Sequence, residues 1–219
     1  MPENIVLNMD CMEYMKDIPE KHFELAIIDP EFGIKSPKHD KARYNKYILK
    51  KWNDKKSDKN YFKELFRISK NQIIWGGNYY TEILKSTKSW LIWNKLISGN
   101  PNGFSKFEMA WTSLNIPTEI ININIQSIRN KIHDCQKPIA LYRWLLENYA
   151  KKGDKIFDSH VGSGSSRIAC YELGFDFIGT ELDKDYWQAQ EERFKLEKAK
   201  IDNEFYLPET QNNLFAGIK

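Results

Sequence analysis

KIFDSHVGSGSSRIACYELGFDFIGTELD, residues 155–183, is the stretch whose reading decides the fold. Ile156-Phe157 is a short apolar run that stops at Asp158. Gly162-Ser163-Gly164 then predicts a turn into a helix from Ser165 to Leu173. Phe175 to Gly179 reads as a second strand, ending at Glu181. Strand, glycine loop, helix, strand and acid together build a nucleoside-binding crevice. The glycines let backbone come close to a ligand, and the helix start offers unpaired N–H groups. An acid roughly 20 residues past the glycines can hold ribose hydroxyls, and Glu181 lies 19 residues after Gly162. Taken alone, the loop is also what an ordinary strand-to-helix turn of an α/β protein looks like.

A second element sharpens the reading. Leu25 to Ile28 is a buried-strand run, followed by Asp29-Pro30-Glu31-Phe32-Gly33. Asp29 therefore stands at a strand's carboxyl end, where open α/β sheets bind ligands. An acid, a rigid proline and an aromatic in succession can hydrogen-bond a flat polar group and stack on it.

Together the two elements resemble the amino-methyltransferases that use S-adenosylmethionine. Their catalytic motif is Asp-Pro-Pro-Tyr/Phe and their cofactor motif Asp-Pro-Phe-x-Gly-x-Gly. Here the catalytic motif comes first, by about 130 residues. That order resembles the permuted, β class of DNA amino-methyltransferases, with the compact layout of phage and bacterial orphan enzymes. The resemblance runs along nearly the whole chain. Asn8-Met9-Asp10-Cys11 matches the family's opening strand, Asn71 to Tyr79 its base-pocket strand and turn, and His133 with Gln136-Lys137-Pro138 the segment before the glycine loop.

The resemblance implies a methyl transfer from S-adenosylmethionine to adenine N6 of a flipped base in double-stranded DNA. Asp29 and the Pro30 carbonyl would accept from the amine, and Phe32 would stack on the base. Asp158, His160, Gly162, Ser163, Gly164 and Ser165 would surround the cofactor, with His160 over its methionine end. Glu181 would hold the ribose and Asp10 the adenine amine. No metal is implied. Two positions depart from the pattern: Glu31 replaces a proline, and Ser159-His160 stand where Pro-Phe is common. An RNA or protein methyltransferase of the same fold, or a DNA-binding module that has lost turnover, are the competing readings.

Composition is compatible with these readings. The chain has 219 residues, 41% hydrophobic and 29% charged, which predicts one globular unit over 1–200 and a tail from 201. The three cysteines, Cys11, Cys135 and Cys170, lack metal-ligand spacing and read as free thiols of a cytoplasmic protein. No apolar run has membrane-span length, and no secretory leader pattern is expected at the start. Net charge is only +3, but Lys35 to Lys59 holds ten Lys/Arg against three Asp. Tyr44, Tyr47 and Trp52 are interleaved there. The stretch reads either as a solvated loop or as a phosphate-contacting arm, with Lys50, Lys51, Lys55 and Lys56 as its candidate contacts.

Periodicity predicts a doubly wound, mostly parallel sheet of seven strands, with an antiparallel pair at Trp90–Trp93 and Phe107–Trp111 as its edge. A short helix is expected at Tyr80–Leu84 and a final one over Tyr186–Lys200. Isoleucines alternate with polar residues from Ile116 to Ile128, which fits a strand or hairpin. The position also fits a target-recognition segment over 112–135, with Gln126 and Arg129 as base-reading residue types. Past Pro208, Gln211-Asn212-Asn213-Leu214-Phe215 resembles the pentapeptide that docks on a bacterial sliding clamp.

Overall fold

The computed structural model describes residues 2–34, 56–99, 105–128, 131–133 and 135–206. Its strands are β1 (Asn4–Leu7), β2 (Phe23–Ile28), β3 (Ser69–Trp75), β4 (Trp90–Asn94), β5 (Phe107–Thr112), β6 (Glu119–Asn122), β7 (Lys155–Asp158) and β8 (Asp176–Thr180). They form one sheet in the order β1-β8-β7-β2-β3-β5-β4-β6. Only β5 runs antiparallel, to both of its neighbours β3 and β4. The fold class is the expected α/β one, with two corrections. The described residues form eight strands, not seven, because β6 adds to β4 in parallel. The antiparallel element is also not the edge: β5 lies inside the sheet, and β6 closes it. In β6, Ile121 is buried while Ile120 is 61% exposed, the alternation of a strand with one covered face.

Helices α1 (Cys11–Lys16), α2 (Lys59–Ile68), α3 (Ile139–Tyr149), α4 (Ser165–Leu173) and α5 (Lys184–Tyr206) cover the two faces. Successive side chains of a strand point to opposite faces, and β2 shows it. Leu25 and Ile27 join the core with Leu141, Leu145 and Leu146 of α3. Ala26 and Ile28 join the other core, with Phe62, Leu65 and Ile68 of α2. Burial on both faces explains why FELAII is a continuous apolar run. Each of the Leu, Ile and Phe side chains is worth about 1.5–3 kcal/mol when fully buried.

Start signals set the helices. Asp10 Oδ1 accepts from Met12 N (2.7 Å) to cap α1, and Asp58 Oδ1 accepts from Asn60 N and Tyr61 N to cap α2. The predicted boundaries of α4 hold. The final helix runs on to Tyr206, past the expected 200. No helix forms at Tyr80–Leu84; a 3-10 turn occupies Gly77–Tyr79 instead, and Ile83 and Leu84 both donate to the Tyr80 carbonyl. Among the described residues no helix is long and apolar enough to cross a membrane.

The topology fixes where a ligand belongs. From β7 the chain proceeds through α4 to β8 on one side; from β2 it proceeds through α2 to β3 on the other. The two strands are nevertheless neighbours, with Leu25 paired to Ile156 and Ala26 to Phe157. Between them lies the point where strand order reverses, the usual ligand crevice of an open α/β sheet. Asp29 and Asp158 stand at the carboxyl ends of these strands.

Candidate active site

The glycine loop is fastened from below by Asp158. That side chain is buried; its Oδ1 accepts from His160 N (3.0 Å) and its Oδ2 from Ser166 Oγ (2.6 Å). Burial pushes the carboxyl up to about 7, against the pull of those two donors. Asp158 thus ties the loop to the first turn of α4 and lines neither of the site's two cavities. Glu181 fastens the loop from above, Oε2 accepting from Gly162 N (2.8 Å) and Oε1 from Asp183 N (2.9 Å). Gly162 has a φ of +52°, and a Cβ there would meet nothing closer than His133 at 3.8 Å. Its requirement is the left-handed backbone and an open approach. Gly164, at φ +76°, is packed differently: a Cβ would come within 3.2 Å of Gln190 Oε1. Ser165 Oγ donates to the Lys137 carbonyl and accepts from Arg193, so it too is occupied in packing.

At the end of β2, Asp29 meets a lysine that sequence reasoning left without a role. Lys137 Nζ is paired with Asp29 Oδ2, its side chain only 3% exposed. The same ammonium lies 3.2 Å from Glu108 Oε2, and Lys95 Nζ lies 2.7 Å from Glu108 Oε1. The four charges alternate and sum to zero. Burial pushes the Asp29 carboxyl up, and Lys137 opposes it. Burial alone would lower the Lys137 ammonium, yet the Asp29 and Glu108 carboxylates hold it above its usual range. Asp29 Oδ1 is buried with no hydrogen-bond partner among the described residues.

Behind Asp29 the chain turns through buried Pro30. The Tyr80 hydroxyl donates to the Glu31 carbonyl. Phe32 does not lie open. Its ring stacks on Tyr79, with centroids 5.0 Å apart and planes at 20°, and its Cε1 sits where a Cβ on Gly76 would be, 2.0 Å away. Tyr79 is 40% exposed and forms the outer face of the stack.

Two cavities flank these groups. The larger, about 550 Å³, is lined by Asp29, His160, Gly162, Ser163 and Glu181 from the predicted set, together with His133, Lys137, Tyr142 and Tyr186. The smaller, about 260 Å³, is lined by Asp10, Lys56, His160 and Glu181, with Cys11 and Tyr61. Glu31, His160, Glu181 and Leu182 belong to both. Asp10, Asp29, His160, Gly162, Ser163 and Glu181 are therefore brought together. Pro30, Phe32, Asp158, Gly164 and Ser165 lie behind or beneath and line neither cavity.

The predicted nucleic-acid contacts are more scattered. Lys56 pairs with Glu82, its ammonium 5.0 Å from the Tyr80 ring centroid. Gln126 is exposed in a 3-10 turn after β6, at the far side of the sheet. Lys50, Lys51, Lys55, Arg129 and Gln211–Phe215 lie outside the described residues.

His133 and Tyr186 also escaped assignment. Their rings are 4.5 Å apart and wall the larger cavity, and burial lowers His133 to about 4. The sequence signal is present only in part: His133 falls with Gln136-Lys137-Pro138 but gains no role there, and nothing gives Tyr186 one.

The sequence and the fold have known counterparts. M.HpaI of Haemophilus parainfluenzae, a type II methyltransferase, is 30% identical over 87 residues, covering 40% of this chain and 26% of that protein. M.HindIII of Haemophilus influenzae, another, is 29% identical over 107 residues, 49% of this chain and 33% of that protein. The chain thus spans only about a quarter to a third of these curated relatives. Among solved structures, the M1.HpyAVI complex with S-adenosylmethionine superposes with a TM-score of 0.59 at 19% identity, covering 88% of this chain and all of that one. The PvuII cytosine-N4-specific DNA methyltransferase gives 0.62 at 13% identity, covering 93% and 94%. The model of the DNA methylase family that embraces N6 and N4 enzymes matches residues 29–192. That span is well over half of the chain and runs from Asp29 past Glu181, so the protein belongs to this DNA methylase family.

Proposed function

We propose that the protein methylates adenine N6 in double-stranded DNA, using S-adenosylmethionine. The observation that carries this reading is Asp29 Oδ1, a buried acceptor with no partner among the described residues, on the cavity that also holds the Gly162 loop and Glu181. The cavities fit a nucleoside sulfonium. An acid closes one end of the glycine loop, Asp10 lines the smaller cavity, and open backbone at Gly162 faces the larger. When bound, the cofactor supplies an electrophilic methyl group, so no metal is required.

The protein's own part is chiefly alignment. An exocyclic amine is a poor nucleophile because its lone pair is delocalised into the ring. Asp29 Oδ1 and the Pro30 carbonyl provide two acceptors, which favour a more tetrahedral nitrogen with its lone pair aimed at the methyl. Such positioning is worth up to ~7–11 kcal/mol in favourable intramolecular cases. Lys137 holds Asp29 in place from Oδ2, leaving Oδ1 to the substrate. Glu181 stands where it can accept from ribose hydroxyls, and Asp10 where it can accept from the adenine amine. Base extrusion costs a few kcal/mol. The exposed Tyr79 face, backed by Phe32, offers the flipped base a stacking surface. The motif order supports placement in the permuted class.

Cytosine N4 is the second reading, favoured by the family's span of both chemistries and by the likeness to the PvuII enzyme. Nucleoside mass spectrometry of DNA from expressing cells separates them. N6-methyladenine above the host background is expected. N4-methylcytosine alone would move the assignment to cytosine, and absence of both, with cofactor binding intact, would leave a DNA-binding module.

A further inference from the structure

Ser159 and His160, the pair that departs from Pro-Phe, form the middle of a buried hydrogen-bond chain. Tyr61 Oη lies 2.6 Å from Ser159 Oγ, which lies 2.8 Å from His160 Nδ1. The tyrosine and histidine rings also meet edge to face, 5.4 Å apart at 75°, so the imidazole plane is fixed. The Thr180 hydroxyl donates to the Ser159 carbonyl and holds that backbone still (2.9 Å).

The chain has a direction. Tyr61 is 4% exposed, and its hydroxyl hydrogen has one acceptor among the described residues, Ser159 Oγ. Reversing the chain would leave that buried O–H without an acceptor, at a cost of about 1–3 kcal/mol. With Tyr61 donating, the Ser159 hydroxyl donates onward to His160 Nδ1. Nδ1 then carries no proton, and the imidazole proton sits on Nε2. Burial pulls His160 down to about 4, so the ring is neutral at physiological pH. Nε2 makes no hydrogen bond among the described residues, and the ring lines both cavities beside Glu181.

We propose that His160 Nε2–H is a donor held ready for an acceptor oxygen of the bound nucleoside cofactor, either a ribose hydroxyl or the amino-acid carboxylate. This rests on the cofactor reading above. A ribose hydroxyl there would accept from His160 and donate to Glu181, completing one run from Tyr61 to a carboxylate. Hydrogen bonds in such a run polarise one another.

Two measurements test it. The ¹⁵N shifts of the His160 ring in the unliganded protein, assigned by their loss in His160→Phe, should show the Nε2–H tautomer. Ser159→Ala should abolish that preference. Calorimetry with S-adenosylhomocysteine and with 5′-methylthioadenosine, which lacks the carboxylate, then locates the acceptor. His160→Phe should weaken binding about tenfold, ~1.4 kcal/mol, and His160→Gln, which keeps a donor, should recover part of it. Weakening of both ligands identifies the ribose; weakening of S-adenosylhomocysteine alone identifies the carboxylate. An Nδ1–H tautomer in the wild type, or His160→Phe binding both as tightly as wild type, overturns the proposal. Wild-type protein that binds neither nucleoside sinks the cofactor reading itself, and the tautomer then reports separately on the hydrogen-bond chain.

Discussion

Lys137 and Asp29, 108 positions apart in the chain, meet as a buried ion pair at the carboxyl end of β2. The pair leaves one carboxylate oxygen bonded and the other, Oδ1, buried without a partner among the described residues. A carboxylate so placed would protonate easily without a counter-charge, because burial disfavours its charged form. Lys137 opposes that shift, and Glu108 on the other side of the ammonium adds to it. The proposed chemistry needs Asp29 ionised, so these neighbours set the acid side of its pH range.

Opposite shifts follow for the two neighbours. Lys137→Gln removes what lowers the Asp29 carboxyl, so the acid limb of methyl transfer should move to higher pH and kcat at neutral pH should fall. Glu108→Gln removes a charge that raises it, so the limb should move to lower pH. Affinity for S-adenosylhomocysteine should change little in either. Lys137→Gln should also destabilise the protein, by about 3–5 kcal/mol, since it strands a buried charge. Acid limbs that coincide in all three proteins would remove Lys137 from any positioning role.

Asp158 gives a stability prediction with a definite sign. Its carboxyl rises from 3.8 unfolded to about 7 folded. The native state therefore binds the proton more tightly, and this contribution is complete below about 3.8. It is lost as pH rises through 7, by as much as ~4 kcal/mol at 1.36 kcal/mol per unit. An asparagine can accept from His160 N and donate to Ser166 Oγ while carrying no charge. Asp158→Asn should gain urea resistance relative to wild type on going from pH 5.5 to pH 8.5. A constant difference between the two proteins at both pH values would count against a titrating Asp158.

The legible and illegible parts of the molecule divide by sequence distance. Helix α4 and its loop could be read because glycines and apolar period lie within about ten residues of one another. The same holds for β2, whose unbroken apolar run states burial on both faces. In contrast, β6 is four residues long and could equally be a hairpin; only its pairing with β4 decides it. The role of Lys137 could not be read, because its partners Asp29 and Glu108 arrive from distant strands. Asp158 looked like a ligand contact from its position in the motif. Its buried bonds to His160 N and Ser166 show it supporting the loop from beneath. Phe32 likewise stands behind Tyr79, a relationship that depends on the left-handed turn at Gly76.

That turn offers a third test. Gly76 has a φ of +65°, and a Cβ would fall 2.0 Å from Phe32 Cε1. Gly76→Ala should strain the turn and push Phe32 and Tyr79 off their stack. Tyr79→Ala should remove the outer ring but leave Phe32 seated. With 2-aminopurine at the target position, both variants should reduce the fluorescence increase on flipping, while cofactor affinity stays within a few-fold. Wild-type fluorescence changes in both would show that the base stacks elsewhere.

The basic stretch after Asp29-Pro30-Glu31-Phe32 supplies the last prediction, and Lys56 serves as its internal control. Lysine contacts to phosphate release counterions, so log K for DNA falls with log salt by ~0.9 per contact. Lys56 is already paired with Glu82 and lies over the Tyr80 ring. A phosphate would have to compete with the Glu82 carboxylate, so Lys56→Gln alone should leave the salt slope nearly unchanged. Lys50, Lys51 and Lys55 fall in the run of ten Lys/Arg against three Asp between Lys35 and Lys59. Their joint replacement by Gln should flatten the slope, by up to ~2.7 if all three meet phosphate, and weaken binding to unrelated sequences as much as to the target. Fluorescence anisotropy across a salt series measures both quantities. An unchanged slope in the triple variant would reduce the stretch to a solvated loop, and a slope that drops only with Lys56→Gln would mean that the Glu82 pair opens to DNA.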